Sequence, residues 1–239
     1  MLAQVIYGLK AQSLALLADA GHNFGDVLGL LLAAAAIWLG TRPAREGFTY
    51  GFQSATILAA LANALIMLFA AFEISHEAIE RLISGATMPN NHIIIVVAAI
   101  GAVINGITAM LLHAGHQHDL NIRGIYLHML SDTAVSVGVI ITGVLIGLTG
   151  KAWIDPVVSL LIAAVILWGT WGLLKRSLRL ALQGVPNEVQ AQKIKAYLSS
   201  RVGVKDVHDL HIWALGTRKN AMSAHLVMPG GHPGDKFIE

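Results

Sequence analysis

The sequence predicts an all-α polytopic membrane domain with six transmembrane helices, followed by a partial α+β domain outside the membrane. Hydrophobic residues make up 55% of the 239-residue chain and charged residues 13%, whereas about a quarter of residues are charged in an ordinary soluble domain. Most lysines and arginines follow residue 174. From that point the long apolar runs give way to a helix–strand–strand pattern. We therefore expect a membrane domain over 1–180 and a second domain over 185–239.

The composition also excludes several classes of protein. The chain has no cysteine, which excludes disulfides and thiolate metal sites. Its formal charge is only +2, and no basic block with interleaved aromatic residues occurs. Nucleic-acid binding is therefore not expected.

The membrane helices are predicted in order from their apolar runs. Residues 1–9 are apolar but span only about half of the ~20 residues that cross a bilayer, so we expect a truncated first transmembrane helix. Five further helices are predicted at 14–39, 54–75, 92–112, 122–148 and 154–174. The third should continue through a polar end, where the residues that we expect to be solvated at the interface are Glu73, His76, Glu77 and Glu80.

Small and polar residues within these helices predict packing contacts. Gly21, Gly25 and Gly29 recur every four residues in the second helix, and Gly143 and Gly147 do so in the fifth. This spacing favours close approach of a neighbouring helix. Asn63 and Asn105 are predicted to form hydrogen bonds between helices, and Asp155 to complement the dipole at the start of its own helix.

Basic residues sort between the loops and predict the orientation. One side holds Arg42, Arg45, Arg123, Lys175, Arg176 and Arg179; the other holds Lys10, Arg81 and Lys151. The side richer in Lys and Arg is normally cytoplasmic. We therefore expect six crossings with both termini in the cytoplasm, in a multi-pass protein of the cell membrane, here a bacterial inner membrane.

The second domain is predicted from its pattern of elements. A helix of about fifteen residues begins near Glu188, strands follow at 204–215 and 222–229, and the turn between them covers 216–220. Helix–strand–strand is the middle of a ferredoxin-like βαββαβ domain. The last residues resemble the start of a second helix, so we expect the C-terminal part of this domain to be missing here.

Two copies of a His-x-x-x-Asp pattern predict a metal site within the membrane. They are His22 with Asp26 in the second helix, and His128 with Asp132 in the fifth. Residues four apart share one helix face, so two such helices offer the four N/O ligands of a tetrahedral Zn²⁺ site. A carboxylate at the centre of a membrane helix also requires a partner. Two independent polar contacts between helices are the alternative interpretation.

Other histidines are open to more than one interpretation. The fourth–fifth loop contains His113, His116, His118 and Asp119; such a tract binds metal weakly or is simply solvated. His208 and His225 could face each other across the two strands and bind metal, or could be half-buried polar groups. His211, three residues from His208, is expected on the opposite face of the sheet.

The order of these motifs resembles the cation diffusion facilitator family, of the zinc-transporter type. The resemblance rests on LALLADAGHNFGDVLGLLLA, LHMLSDTAVSVGV, WIDPVVSLLIA and VHDLHIWALG and extends over essentially the whole chain. It implies a homodimeric antiporter that exports divalent metal from the cytoplasm against protons. By position it implies a transport site at His22, Asp26, His128 and Asp132, and zinc ligands at His208 and His225.

The same resemblance bears on the choice of metal. Histidine in both pairs is similar to zinc carriers, with Cd²⁺ or Co²⁺ as further substrates. Many zinc-type members carry a histidine after the Tyr50-Gly51-Phe52 motif, whereas this chain has Gln53, which argues against a metal site in that loop.

Acid–base chemistry then predicts the mechanism. Metal binds neutral imidazole and ionised carboxylate, so protonation releases it, and helices rocking about a midplane site would give alternating access. Two other functional classes are alternatives to an antiporter. An intramembrane metalloprotease would need a general-base Glu, as in His-Glu-x-x-His, and neither pair has one, so we do not expect an enzyme. A membrane metal-binding scaffold or sensor that does not transport remains the alternative function.

Overall fold

The computed structural model describes residues 2–85, 88–113, 120–231 and 234, and for residues 112 and 120–128 it describes the backbone alone. The chain forms two compact units. The first comprises residues 1–30 and 63–171, and the second comprises residues 31–62 and 172–239. Three of the long helices contribute to both units, so each unit is described in turn below.

Six helices account for the membrane domain. They are α1 (Leu2–Ala11), α2 (Leu14–Gly40), α3 (Ala55–Ser84), α4 (Asn91–Leu112), α5 (Leu120–Thr149) and α6 (Ile154–Ala181). Within the described residues, five helices are long and apolar enough to cross a membrane, namely α2 to α6. With ten residues, α1 is shorter than the ~20 that a crossing requires. The fold is thus a multi-pass helical membrane domain, and six crossings stay a prediction.

Glycines allow α2 to pack closely on α3, as the sequence predicts. A Cβ atom at Gly25 would lie 1.9 Å from the sulfur of Met67, and one at Gly29 would lie 2.4 Å from Oδ1 of Asn63. Both distances are shorter than any real van der Waals contact. A side chain larger than that of glycine at either position would therefore force Met67 or Asn63 to move, so the two glycines favour this approach of the helices.

Glycines also allow α5 to pack closely on α4. A Cβ at Gly143 would lie 2.8 Å from Cγ1 of Ile95, and one at Gly147 would lie 2.4 Å from Nδ2 of Asn91. Ile94 of α4 and Val139 of α5 are fully buried in the core of this unit. The pairing matters for function because α5 carries the second His-x-x-x-Asp pattern.

The start of α6 is tied to the start of α2. Asp155 accepts hydrogen bonds from the Ser13 hydroxyl at 2.5 Å and from the Leu14 backbone N–H at 2.7 Å. This carboxylate lies in the first turn of α6, as the sequence predicts. Its hydrogen bonds also satisfy first backbone donors of α2, which have no partner within that helix.

The second unit contains the elements that follow the membrane domain. They are α7 (Ala191–Ser199), β1 (Asp206–Gly216) and β2 (Lys219–Val227). The helix has nine residues rather than the expected fifteen or so, because turns occupy both of its predicted ends. The strands are antiparallel and joined by a turn at Thr217 and Arg218. The predicted helix–strand–strand order is confirmed; the expected helix start after residue 231 lies almost wholly outside the described residues.

A bulge in β1 changes which side chains share a face. His208 pairs with His225, whereas His211 pairs with Ser223, so β1 has one more residue than β2 between these pairs. Asp209 takes up the extra residue with a φ of 49°, in the left-handed region that non-glycine residues seldom adopt. His211 therefore lies on the same face as His208, and the prediction that it lies on the opposite face is wrong.

Candidate metal centre

Three of the four predicted intramembrane ligands come together between α2 and α5. Nε2 of His22 lies 3.8 Å from Oδ2 of Asp26, one turn along α2, and 3.3 Å from Oδ1 of Asp132 on α5. One ligand atom from each residue lies within 4.8 Å of the other two. The i, i+4 spacing brings the first pair onto one face, and α5 supplies the third group.

These separations fit a tetrahedral metal ion. Zn²⁺ binds N and O ligands at ~2.0–2.1 Å, which places neighbouring ligand atoms about 3.3 Å apart in a tetrahedron. The His22–Asp132 distance equals this value, and the His22–Asp26 distance exceeds it slightly. Asp132 is 1% exposed, so its charge requires a positive partner within the protein.

The fourth predicted ligand, His128, belongs to the stretch in which only the backbone is described. It lies in α5, one turn before Asp132. Its assignment as a ligand therefore stays a prediction based on helical spacing.

A buried polar network lies beside these three ligands, and the sequence prediction missed it. Asp19 is fully buried one turn before His22. Its Oδ2 accepts hydrogen bonds from Nε2 of Gln4 at 2.9 Å and from the hydroxyl of Ser136 at 3.4 Å. The network joins α1, α2 and α5 around the candidate site. An aspartate three residues before His22 was the available signal, because i and i+3 are neighbours on a helix.

A second group of candidate ligands lies on the exposed face of the β1–β2 hairpin. His208 and His225 are cross-strand partners, with ring centroids 5.3 Å apart and nearly perpendicular rings. Nδ1 of each lies 3.1 Å from the same oxygen, Oδ2 of Asp209. The prediction named the two histidines, and the structure brings them together and adds Asp209 as a third possible ligand.

Electrostatics keep Asp209 in the ligating form. The hydrogen bond with His208, followed by the charge of His208 and the corresponding contacts of His225, lowers the pKa of the Asp209 carboxyl below its ordinary value. A carboxylate that stays ionised can accept a metal over a wide pH range. All three side chains are well exposed, so a metal ion could reach them from solvent.

Asp209 was missed because regular alternation places it on the other face of the strand. Residues i and i+1 point to opposite faces in an unbroken strand, and only the bulge brings Asp209 beside both histidines. No local residue marks this bulge in the sequence, since glycine, the usual residue at positive φ, is absent there.

Within the described residues, neither the histidine-rich loop between α4 and α5 nor the loop at Gln53 adds a candidate metal site. In the fourth–fifth loop, His116, His118 and Asp119 lie outside the described residues. Gln53 lies two residues before α3, and no cluster of three metal-binding side chains includes its loop within the described part of the chain. The two candidate centres are therefore the His22 and His208 clusters.

Comparison with known proteins places the whole chain in one group. Residues 1–180 match the family model described as the cation efflux transmembrane domain, and residues 186–236 match the cation efflux protein cytoplasmic domain. The chain is 40% identical to the cation efflux system protein CzcD of Alcaligenes sp. (strain CT14), over 95% of its own length and 72% of that protein.

Two further relatives carry more specific names. The chain is 34% identical to the cadmium, cobalt and zinc/H(+)-K(+) antiporter of Bacillus subtilis (strain 168), over 95% of its length and 74% of that protein. It is also 34% identical to the zinc transporter ZitB of Escherichia coli (strain K12), over its full length and 76% of that protein. With both domain models matched in order along nearly its entire length, the chain belongs to the cation diffusion facilitator family of cation efflux proteins.

Proposed function

We propose that this protein is an antiporter that exports a divalent metal, with Zn²⁺ as the main substrate, from the cytoplasm in exchange for protons. The metal would cross the membrane through a tetrahedral site formed by His22, Asp26, His128 and Asp132. Cd²⁺ and Co²⁺ are further candidate substrates, since relatives are named for their transport. The protein would act by alternating access and catalyse no chemical reaction.

The observation that carries the proposal is the 3.3 Å separation of His22 Nε2 and Asp132 Oδ1. These atoms belong to different helices and lie at the ligand–ligand distance of a tetrahedral zinc site. Asp26 adds a second carboxylate within reach of the same point. Two acidic groups so close within a membrane domain favour a divalent cation as the species that they bind.

Proton coupling follows from the ligand types. Imidazole binds metal in its neutral form and carboxylate in its ionised form, so metal and protons compete for the same atoms. With the site open to the cytoplasm, metal would displace protons from His22 and Asp132. With the site open to the outside, protons would displace the metal. Neither ligand pair includes the Glu that metalloprotease chemistry would need, which supports transport rather than an enzymatic reaction.

Several features of the assembly belong to the same proposal. The protein would be a homodimer in a bacterial inner membrane with six crossings per protomer and both termini in the cytoplasm. The distribution of basic loop residues supports this orientation, and the bacterial relatives support this membrane. Residues 185–239 would form the first part of a ferredoxin-like domain.

We assign the cluster of His208, Asp209 and His225 a regulatory role. It is exposed to solvent and lies outside the predicted membrane helices, so it could report the cytoplasmic metal concentration. Its three ligand atoms leave one tetrahedral position open for water or a residue from a partner protomer. A resident metal here would hold the two strands together at the bulge.

The decisive experiment is zinc flux in reconstituted vesicles that contain a pH-sensitive dye. Wild-type protein should move zinc into inside-out vesicles and protons out of them. Asp132→Asn should abolish both fluxes, because it removes the charge that bridges α5 to His22. Asp206→Asn is the matched control, since it removes a carboxylate from an exposed position at the start of β1.

Two outcomes would contradict the proposal. Normal flux through Asp132→Asn would exclude this cluster as the transport site. Stoichiometric zinc binding by the wild type without any flux would instead favour the metal-binding scaffold or sensor.

A further inference from the structure

A cavity of about 550 Å³ opens in the second unit, beside the loop between α2 and α3. Its walls are the end of α2, the loop itself, the start of α3 and the turn between β1 and β2. Two hydrogen bonds hold this turn: the Ser54 hydroxyl donates to the Leu215 carbonyl at 3.1 Å, and the Thr217 N–H donates to the Thr56 hydroxyl at 3.0 Å. The volume is typical of a small-ligand site, roughly 300–1,000 Å³.

The cavity is lined by positive charge. Arg42 comes from the α2 end, and Arg218 and Lys219 come from the hairpin turn. None of the described residues that line the cavity carries a carboxylate. Three basic residues around a cavity whose described lining has no carboxylate favour an anion, and phosphate oxygens match both guanidinium and ammonium groups.

Gln53 adds a second requirement. It lines the cavity, and its side-chain oxygen is buried without a hydrogen-bond partner among the described residues. A buried acceptor of this kind needs a donor. A well-fitting ligand must therefore combine anionic oxygens with at least one O–H or N–H group.

The surroundings of the cavity indicate the source of such a ligand. Trp38, Phe48 and Tyr50 are all more than half exposed in this region, and the Arg42 guanidinium lies 4.2 Å from the centre of the Trp38 ring. Exposed aromatic residues beside arginine at the end of a membrane helix are typical of the headgroup level of a bilayer. Basic pockets at this level can hold lipid phosphates.

We infer that this cavity binds the headgroup of an anionic phospholipid whose phosphodiester carries a hydroxyl group, of the phosphatidylglycerol type. The phosphate contacts Arg42, Arg218 and Lys219, and the headgroup hydroxyl donates to Gln53. The lipid thereby joins the α2–α3 loop to the hairpin turn. This site is independent of the transported metal, so it can fail while the transport proposal stands.

Native mass spectrometry of the full protein in detergent tests the inference. The protein is offered phosphatidylglycerol, phosphatidylmethanol or phosphatidylcholine with identical acyl chains. Phosphatidylmethanol has the anionic phosphodiester but no headgroup donor, and phosphatidylcholine lacks both net charge and donor. We expect the protein to retain phosphatidylglycerol best, phosphatidylmethanol less well and phosphatidylcholine least.

Two variants separate the roles of the lining residues. Arg42→Gln/Arg218→Gln should reduce phosphatidylglycerol retention at least about fivefold, because two charge-assisted contacts are lost. Arg45→Gln/Arg201→Gln is the matched control, since it removes the same charge from residues that do not line the cavity. Gln53→Met keeps the charges and side-chain size, and should abolish only the preference for phosphatidylglycerol over phosphatidylmethanol.

Three outcomes would overturn the inference. Equal loss of lipid in the Arg45→Gln/Arg201→Gln control would show that binding follows net charge alone. An unchanged lipid preference in Gln53→Met would remove the proposed headgroup contact. Full competition by soluble glycerophosphoglycerol at the lipid's own concentration would assign the cavity to a free phosphodiester. Zinc binding by each variant checks that it has folded.

Discussion

The carboxylate of Asp155 accepts a hydrogen bond from the hydroxyl of Ser13, 142 positions away in the chain and 2.5 Å away in space. Both residues are buried. The same carboxylate accepts bonds from the Leu14 and Ala15 N–H groups, so the first turn of α2 is capped by a residue of α6. This contact determines where α2 begins, and α2 carries the first pair of candidate metal ligands.

We expect Asp155→Ala to destabilise the protein by about 3 kcal/mol, because it leaves buried donors of α2 without an acceptor. Ser13→Ala removes two hydrogen bonds, the one that its hydroxyl donates to Asp155 and the one that it accepts from the Leu16 N–H, and should cost about 2 kcal/mol. Equilibrium unfolding in mixed micelles measures both changes. Zinc stoichiometry should stay unchanged in both variants; a lost zinc ion in Asp155→Ala would mean that this carboxylate is itself a ligand.

The contact between Gly29 and Asn63 predicts a compensating pair of substitutions. Gly29→Ala should destabilise the protein by about 1–3 kcal/mol, because the new methyl group would lie 2.4 Å from the Asn63 side chain. Asn63→Ala makes room and should restore most of this loss. A double-mutant cycle in the same unfolding assay measures the coupling between the two sites.

Gly169→Ala is the control for this pair, because no described atom lies within 4 Å of the position of its Cβ. It should be neutral or slightly stabilising, since alanine is favoured over glycine in helices by up to about 1 kcal/mol. Equal destabilisation at both glycines would exclude close packing as the cause.

The intramembrane cluster predicts which aspartates bind zinc. Asp26→Ala and Asp132→Ala should each weaken zinc binding at the membrane site by at least about tenfold, whereas Asp19→Asn should change it much less. Asp19 accepts hydrogen bonds from Gln4 and Ser136 and does not belong to the cluster of ligand atoms. Isothermal titration calorimetry, with the hairpin site removed by His208→Ala, isolates this event. A larger loss in Asp19→Asn than in Asp26→Ala would reverse the assignment.

The hairpin cluster predicts a pH dependence with a definite sign. The lowered pKa of Asp209 keeps its carboxylate ionised until the pH falls well into the acidic range, so it contributes to binding at neutral pH and is lost only as the pH falls through its folded-state pKa. The contribution of this carboxylate to zinc affinity should therefore be present at neutral and mildly acidic pH and disappear only as the pH falls through the folded-state pKa of Asp209.

Titrating zinc into the protein at a series of pH values checks this expectation. Asp209→Asn should weaken binding at neutral and mildly acidic pH, and its difference from the wild type should disappear as the pH falls through the folded-state pKa of Asp209. Equal affinity of variant and wild type at neutral pH would exclude the carboxylate as a ligand. Asp206→Asn, on the same strand, provides the control.

The sequence predicted the elements that depend on apolar runs and helical spacing. Five long helices, the glycine contacts of α2 and α5 and the helix–strand–strand order all follow from patterns of period four or two. The approach of His22 to Asp132 was predictable for the same reason, because each pattern places its residues on one face. Because a carboxylate within a membrane helix needs a partner, the ligand-bearing faces of α2 and α5 were expected to meet.

The features that the sequence did not predict depend on distant contacts or on a local irregularity. Asp155 lies in the first turn of its own helix as predicted, but its contact with α2 was not predicted because nothing in the sequence shows that the start of α2 lies beside it. Asp19 was not singled out from the sequence, because its hydrogen-bond partners lie in α1 and α5. Asp209 was missed and His211 was placed on the wrong face because a bulge breaks the alternation on which strand predictions rely.

The bulge at Asp209 makes strand length a determinant of metal chemistry. Between the pairs His208–His225 and His211–Ser223, β1 has one more residue than β2. Deleting a single residue after Asp209 would remove the bulge, keep the two histidines opposite each other and turn the Asp209 side chain to the other face of the hairpin. A relative that lacks one residue of β1 at this point would therefore have the two histidine ligands but not the carboxylate ligand. Such a gap would change metal affinity even where every ligand residue is retained.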